Sequence, residues 1–169
     1  MGLYSTIRQD LSVNKGNSKG KAIVVTYRIA RYFSQHKYLL VRIVGLPFIK
    51  FYHWIFIWLM GVEIPDRTII GPGLQVWHGT ALIINANSVI GSNVLLRHST
   101  TIGNKGNDES CPIIGNNVDI GSNTVLIGNI SIGDNVSIGA GSVVTKSIPS
   151  DSVAYGNPMK VISKTSRLI

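Results

Sequence analysis

One cysteine, Cys111, stands in 169 residues. No intrachain disulfide framework can form, and nothing in the cysteine usage asks for an oxidising compartment. Acidic residues are scarce too, eight against sixteen lysines and arginines. The chain carries no Walker or dinucleotide fingerprint and no cluster with metal-ligand spacing, so no metal is expected. Met1 to Gln9 lack the apolar core and small-residue cleavage site of a secretory signal, and the chain reads as cytoplasmic. Charged residues make up only 14% of it and apolar ones 44%. A fold with much interior, and with surface hidden between subunits, fits that balance.

The missing acids are missing from one place. Residues 1–62 hold Arg8, Lys15, Lys19, Lys21, Arg28, Arg31, Lys37, Arg42 and Lys50 against the lone Asp10, whereas residues 63–169 hold seven charges of each sign. The net charge of +8 therefore belongs to the first third. Its basic residues alternate with apolar ones and the remainder is neutral, which argues against nucleic-acid binding.

That first third has a helical period. Ile23, Tyr27, Ala30 and Phe33 recur at spacings of three and four, with Arg28 and Arg31 off the stripe, and predict an amphipathic helix from Lys21 to about Gln35. A second helical stretch is expected from about Tyr38 to Met60, broken or kinked near Gly45-Leu46-Pro47 because proline removes a donor and restricts its predecessor. Met1 to Gly20 is expected to be loose. Arg42, Lys50, His53 and Pro47 weigh against Tyr38–Met60 as a membrane span. Two readings of residues 1–62 stay open: a helical collar for assembly, or a peripheral anchor on anionic lipid through Phe51, Tyr52, Trp54 and Trp58 beside Lys50.

After Gly61 the period becomes six. Aliphatics stand at Ile64, Ile70 and Val76, then after two extra residues at Ile84, Ile90, Leu96 and Ile102. After a longer break the count resumes at Ile114, Ile120, Leu126, Ile132, Ile138 and Val144, and glycine follows seven of these thirteen. A six-residue unit makes one short strand and a turn, with the aliphatic inward and the glycine expected to supply unusual dihedrals. Three units close a coil, and coils stack at about 4.8 Å into a solenoid.

The two breaks locate the chemistry. Eighteen residues make a coil, so the two extra residues before Ile84 stack positions twenty apart, and His78 and His98 are twenty apart. The register predicts two imidazoles one above the other. The second break, Asn104 to Pro112, is a polar loop that must leave the coil, and such loops often carry function. Plainer readings stand beside these: a histidine on a solenoid is commonly a surface residue, the loop can be simply tolerated, and Cys111 is by default a small buried thiol.

Laid out in this register, the chain resembles the serine acetyltransferase branch of the hexapeptide acyltransferases, and within it the colanic acid biosynthesis acetyltransferases. The resemblance rests on Gly61-Val-Glu-Ile, Trp77-His-Gly-Thr, Leu96-Arg-His-Ser-Thr-Thr-Ile-Gly-Asn, Ser110-Cys-Pro, Ile138-Gly-Ala-Gly-Ser-Val-Val and Gly156-Asn-Pro-Met-Lys-Val-Ile. It implies a mostly β protein: a left-handed parallel β-helix over 63–162, with an extruded loop at 104–112, a helical segment 1–62 before it and a tail 163–169. It also implies a homotrimer with active sites between subunits and acetyl-CoA as co-substrate.

Roles follow by position from that resemblance. His78 matches the general base, and Glu63, fifteen residues earlier, matches the carboxylate that orients it, one methylene longer than the family's aspartate. His98 is the candidate for stabilising the oxyanion. The branch holds serine with an aspartate before the base and an Arg-His pair in the loop. Here those positions read Trp77 and Ser110-Cys111, which turns the expected acceptor from serine toward a saccharide that Trp77 can stack against. Asn104, Ser122, Ala140 and Lys146 match coenzyme contacts, and Lys146 and Lys160 are the candidate phosphate partners. The competing functions are serine O-acetylation for cysteine synthesis and a non-catalytic hexapeptide scaffold.

Overall fold

The structure, a computed structural model, describes residues 2–107 and 109–164; the end of the expected tail, 165–169, lies outside the described residues. Three helices come first: α1 (Leu3–Val13), α2 (Ser18–Ser34) and α3 (Leu39–His53). The Asn17 side chain caps α2 by accepting from the Gly20 amide at 2.9 Å, satisfying one of the donors that a helix start leaves open. The expected stripe is the buried one, with Ile23, Tyr27 and Ala30 fully covered.

One expectation for this segment fails, and Arg28 and Pro47 behave in ways the sequence left open. The residues expected to be loose form α1 and the start of α2. Arg28, off the apolar stripe, is buried all the same, because Asp10 of α1 meets its guanidinium at 2.7 Å. Pro47 does not end its helix: α3 runs through it and continues as one π-helical stretch, Trp54–Leu59. The turn-long register change of that stretch is a device long helices use where regular pairing is disturbed.

Beyond Met60 the chain winds through about five coils of a three-faced parallel prism. One face stacks Val62–Glu63, Leu82–Ile84, Thr101–Gly103, Val125–Ile127 and Val143–Val144 in that order. A four-stranded face starts at Ile69–Ile70, and a six-stranded face starts at Gln75–Trp77. That third face closes with Ser152–Tyr155 and an antiparallel last strand, Lys160–Ser163. All thirteen aliphatics of the six-step count are buried, each worth roughly 1.5–3 kcal/mol against exposure.

Glycine plays a different part from the one expected. None of the seven repeat glycines has positive φ. Six of them, all but Gly103, are needed for close approach: a Cβ on Gly71 would stand 2.7 Å from the backbone of Gly91 in the next coil. The left-handed turns fall instead on residues such as Asn93, Asn117 and Asn135, at φ of 56°, 55° and 58°. Asparagine tolerates that region best among residues with a side chain. Here its amides also form a ladder up one edge, Asn93 to Asn117 at 3.1 Å, Asn117 to Asn135 at 3.1 Å and Asn135 to Asp151 at 2.9 Å.

The first coil needs a lid, since its upper edge would otherwise leave strand groups unpaired. Helical side chains provide it. Asp10 accepts from the amides of Gly73 and Leu74 at 2.7 and 2.9 Å. Asn14 pairs with Leu74 and Val76, Arg28 donates to the carbonyls of Ile70 and Gly71, and Tyr52 donates to that of Ile64. The helices are thus bolted to the prism by polar contacts as well as by packing.

Candidate active site

The site grows from the edge where the six-stranded face turns into the five-stranded one. Trp77 pairs in register with Arg97, so the next residues, His78 and His98, stack as the spacing predicts. Their ring centroids are 5.9 Å apart in an edge-to-face arrangement. They line an open pocket of about 440 Å³ together with Thr80 and Ser99. Neither ring points into the prism: His78 is exposed and His98 half-buried. The Nδ1 atom of His98 is buried without a hydrogen-bond partner, and an orphaned polar atom beside a pocket suits a group that acquires its partner from a ligand.

His78 itself sits at φ +60°, a conformation costly for a residue with a side chain and often found at functional sites. The two-residue insertion forces it, since the widened corner contains two left-handed residues, His78 and Ala81. Three residues that the sequence reading missed hold this corner. Lys19 donates to Thr80 Oγ1 at 2.9 Å, Thr80 Oγ1 donates to the His78 carbonyl at 2.9 Å, and Asn17 donates to the Val76 carbonyl at 2.6 Å. Gly79 completes it, because a Cβ there would overlap Ile23 of α2. No local signal announces contacts that span about sixty residues of chain.

The remaining candidates divide by position. Register carries the histidine column onward to Ser122 and then Ala140, on the same edge. Trp77 flanks His78 with its ring 6.1 Å away and 37% exposed. Glu63 lies exposed on the five-stranded face, in register with Ile83. Its side chain makes no hydrogen bond or ion pair among the described residues, so one chain alone does not join it to His78. Asn104 is at the opposite edge of that face, bonded to Asn85 at 3.0 Å at the root of the loop that carries Ser110 and the buried Cys111. Lys146 lines a separate pocket of about 190 Å³ with Asn157 and Met159, and Lys160 is exposed on the last strand. Histidines and loop therefore occupy two edges of one prism rather than one cleft. Among the described residues no three His, Cys, Asp or Glu side chains gather as a metal site.

Comparison with known proteins fits this geometry. The bacterial transferase hexapeptide model, six repeats, matches residues 111–146. The Escherichia coli K12 protein named colanic acid biosynthesis acetyltransferase WcaB is 36% identical over 156 residues, which span 90% of this chain and 96% of that protein. The chain is a hexapeptide-repeat acetyltransferase. A serine acetyltransferase of Synechococcus elongatus is 36% identical over 63% of the chain and 45% of its own length. Soybean serine acetyltransferase superposes with a TM-score of 0.80 at 29% identity, covering 95% of this chain and 69% of the soybean one. The hexapeptide fold is the left-handed parallel β-helix, and the coils here are that fold. Acetyltransferases of this family imply acetyl-CoA as co-substrate.

Proposed function

We propose that this hexapeptide acetyltransferase transfers acetyl from acetyl-CoA to a hydroxyl of a surface-polysaccharide sugar or its precursor. The observation that carries the reading is the stacked His78–His98 pair in an open pocket, with the Trp77 ring 6.1 Å from that of His78. An indole flanking the base favours the face of a sugar ring, and an amino-acid zwitterion would find neither the acid nor the Arg-His pair that the serine enzymes place there. The similarity to WcaB, named for colanic acid biosynthesis, supports the same acceptor class.

In this reading His78 removes the proton from the acceptor hydroxyl as its oxygen attacks the acetyl carbonyl. The carbon–sulfur bond breaks, and the coenzyme A thiolate leaves with the proton that His78 held. His98 donates to the carbonyl oxygen as negative charge develops on it. Glu63 fixes the His78 tautomer and steadies the imidazolium. Ser110 and Cys111 complete the acceptor side, while Asn104, Ser122, Ala140, Lys146 and Lys160 contact the coenzyme.

The working assembly is a homotrimer, with each site between subunits. Two observations favour it. The histidine column and the loop sit on opposite edges of one face, so loop from one copy and histidines from another can share a cleft. On the four-stranded face, Ile69, Val89 and Ile113 stack outward in register as an apolar column, of the kind that marks a subunit interface. The reading puts the protein in the cytoplasm, where acetyl-CoA is available, with peripheral contact at the inner membrane face.

The test offers acetyl-CoA with oligosaccharide repeat units, lipid-linked sugar or serine, and follows thiol release together with acetyl-ester formation. Ester on the saccharide supports the reading. Release with serine alone replaces it with cysteine-precursor synthesis, and no release with any acceptor leaves a scaffold.

A further inference from the structure

The continuous helix Leu39–Leu59 presents apolar residues on both sides. Its inner stripe, with Gly45, Ile49, Tyr52 and Phe56, packs on α2 and the first coil. Its outer surface is also apolar: Leu40 is 72% exposed, Val44 67%, Trp58 83% and Leu59 74%, with Ile43, Phe51 and Trp54 more than half open. Only 17% of its most apolar eighteen-residue window is buried, at a mean hydropathy of 1.5. A helix that is apolar all round is covered by something, and a contiguous patch of this kind marks an interaction surface.

We propose that the outer face of Leu39–Leu59 docks in the headgroup region of an anionic bilayer, lying along the surface. Charge selects the occupant. Between Asp10 and Glu63 the sequence has no acidic residue and eight basic ones, of which Lys37, Arg42 and Lys50 are exposed on or beside this helix. A second copy meeting the same face by twofold symmetry would set patch against identical patch, cation facing cation. Anionic lipid headgroups meet the same cations with opposite charge, and each basic residue near such a surface adds attraction. Trp54 and Trp58 at one end and Tyr38 at the other, all exposed, are the amphipathic rings that prefer headgroup depth.

The helix is long and apolar enough to cross a membrane by length and composition, but its inner side is committed to protein. A Cβ on Gly45 would overlap the Phe33 ring, the Phe33 and Phe48 rings lie 6.0 Å apart, and Tyr52 donates to the Ile64 carbonyl at 2.7 Å. Threading it through a bilayer would tear α3 from α2 and from the coil. Lying in the plane leaves these contacts intact.

The experiment floats the full-length chain with vesicles of phosphatidylcholine alone, or with about a third phosphatidylglycerol, and follows tryptophan emission. The expected result is co-flotation with anionic vesicles, a blue shift of emission and release by alkaline carbonate. Leu40→Ser/Val44→Ser/Trp58→Ser changes only exposed side chains outside the site, so it keeps fold and acetyl transfer to a soluble acceptor while binding falls more than about tenfold. Arg42→Glu/Lys50→Glu produces a comparable loss. Absence from the floating fraction, undiminished binding by the triple variant, or resistance to carbonate overturns the proposal. A drop in the mass of the particle in the triple variant also overturns it, since a second copy would then be what covers the face.

Discussion

The helical segment and the prism solve the same problem, burying apolar surface, by opposite means. In the prism the coils repeat one small pattern: aliphatic inward, glycine where the next coil comes close, and, in the middle coils, asparagine in the left-handed turn. Its contacts are nearest-neighbour and its charge is balanced. The helical segment has no repeat. It is held to the prism by single long-range contacts, among them the buried Asp10–Arg28 pair and the amide of Asn14, and it carries the whole net charge. The difference teaches where precision resides. The periodic part supplies a stiff column on which two imidazoles stack, and the aperiodic part fixes the corner from which one of them projects.

The largest separation of the two regions should come at His78. His78→Ala removes the proposed base and should lower turnover by roughly 10²–10⁴-fold, measured as thiol release at saturating acetyl-CoA. Thermal unfolding and particle mass should be nearly unchanged, because the ring is exposed and touches only the neighbouring Trp77 and His98 rings. Activity within tenfold of the parent would take the chemistry away from this corner.

On the helical side the largest effect is expected at Asp10. Asp10→Ala leaves the Arg28 guanidinium buried with no counter-charge and frees the Gly73 and Leu74 amides, so it should cost about 3–5 kcal/mol. Denaturant unfolding followed by far-UV circular dichroism reads that loss. A change below 1 kcal/mol would mean that packing alone joins helices to prism. Arg28→Met/Asp10→Leu, which removes both charges, should recover only the part due to the unpaired guanidinium, since the Gly73 and Leu74 amides stay unpaired.

How far each region can be read from sequence follows from the same contrast. The six-step count forecast the core position of every aliphatic, the stacking of His78 on His98 and the loop between Gly103 and Ile113, because a repeat reports its geometry locally and many times over. It misassigned the glycines, since a letter that recurs at turns does not say whether it is there for its dihedrals or for its lack of a Cβ. Helix α1 was missed because its reason for being ordered is remote: Asp10 and Asn14 are buried by residues 73–76. That Arg28, off the apolar stripe, is buried went unread for the same reason. Lys19 and Thr80 were invisible to any local pattern, and one chain leaves Glu63, the loop and the histidines apart, a separation that the six-step count does not report.

A third comparison uses alkaline pH, to which the junction should respond before the coils. Burial pushes the Tyr27 hydroxyl up to about 12 from the usual 10.0, partly opposed by Arg28 and Arg31, while it donates to the Thr68 carbonyl at 2.6 Å. The unfolded chain gives up this proton near 10 and the folded chain keeps it until about 12. The associated stability is therefore whole below pH 10 and is lost as pH rises through 12, by up to about 3 kcal/mol. Tyr27→Phe should flatten that part of the stability profile; an unaltered slope between pH 10 and 12 would assign the alkaline loss to other groups, Tyr52 first, whose hydroxyl burial raises as well.

The smallest expected effect tests the regular side. Asn117 accepts from Asn93 and donates to Asn135, each at 3.1 Å, and it sits at φ +55° on the prism edge. Asn117→Gly removes the amide and keeps the backbone at ease, whereas Asn117→Ala removes the amide and adds strain, so they should cost about 0.5–1 and about 1–2 kcal/mol. The edge is exposed and its neighbours on the ladder keep water, which is why neither value should approach that of Asp10. If the two variants were equally destabilised, the dihedral would carry no weight and the ladder would be the sole reason for asparagine. If glycine were neutral, conformation would be the reason and the amide bonds incidental. Because the same turn recurs at Asn93 and Asn135, the answer at one rung applies to the rungs on either side, a transfer that no single contact in the helical segment permits.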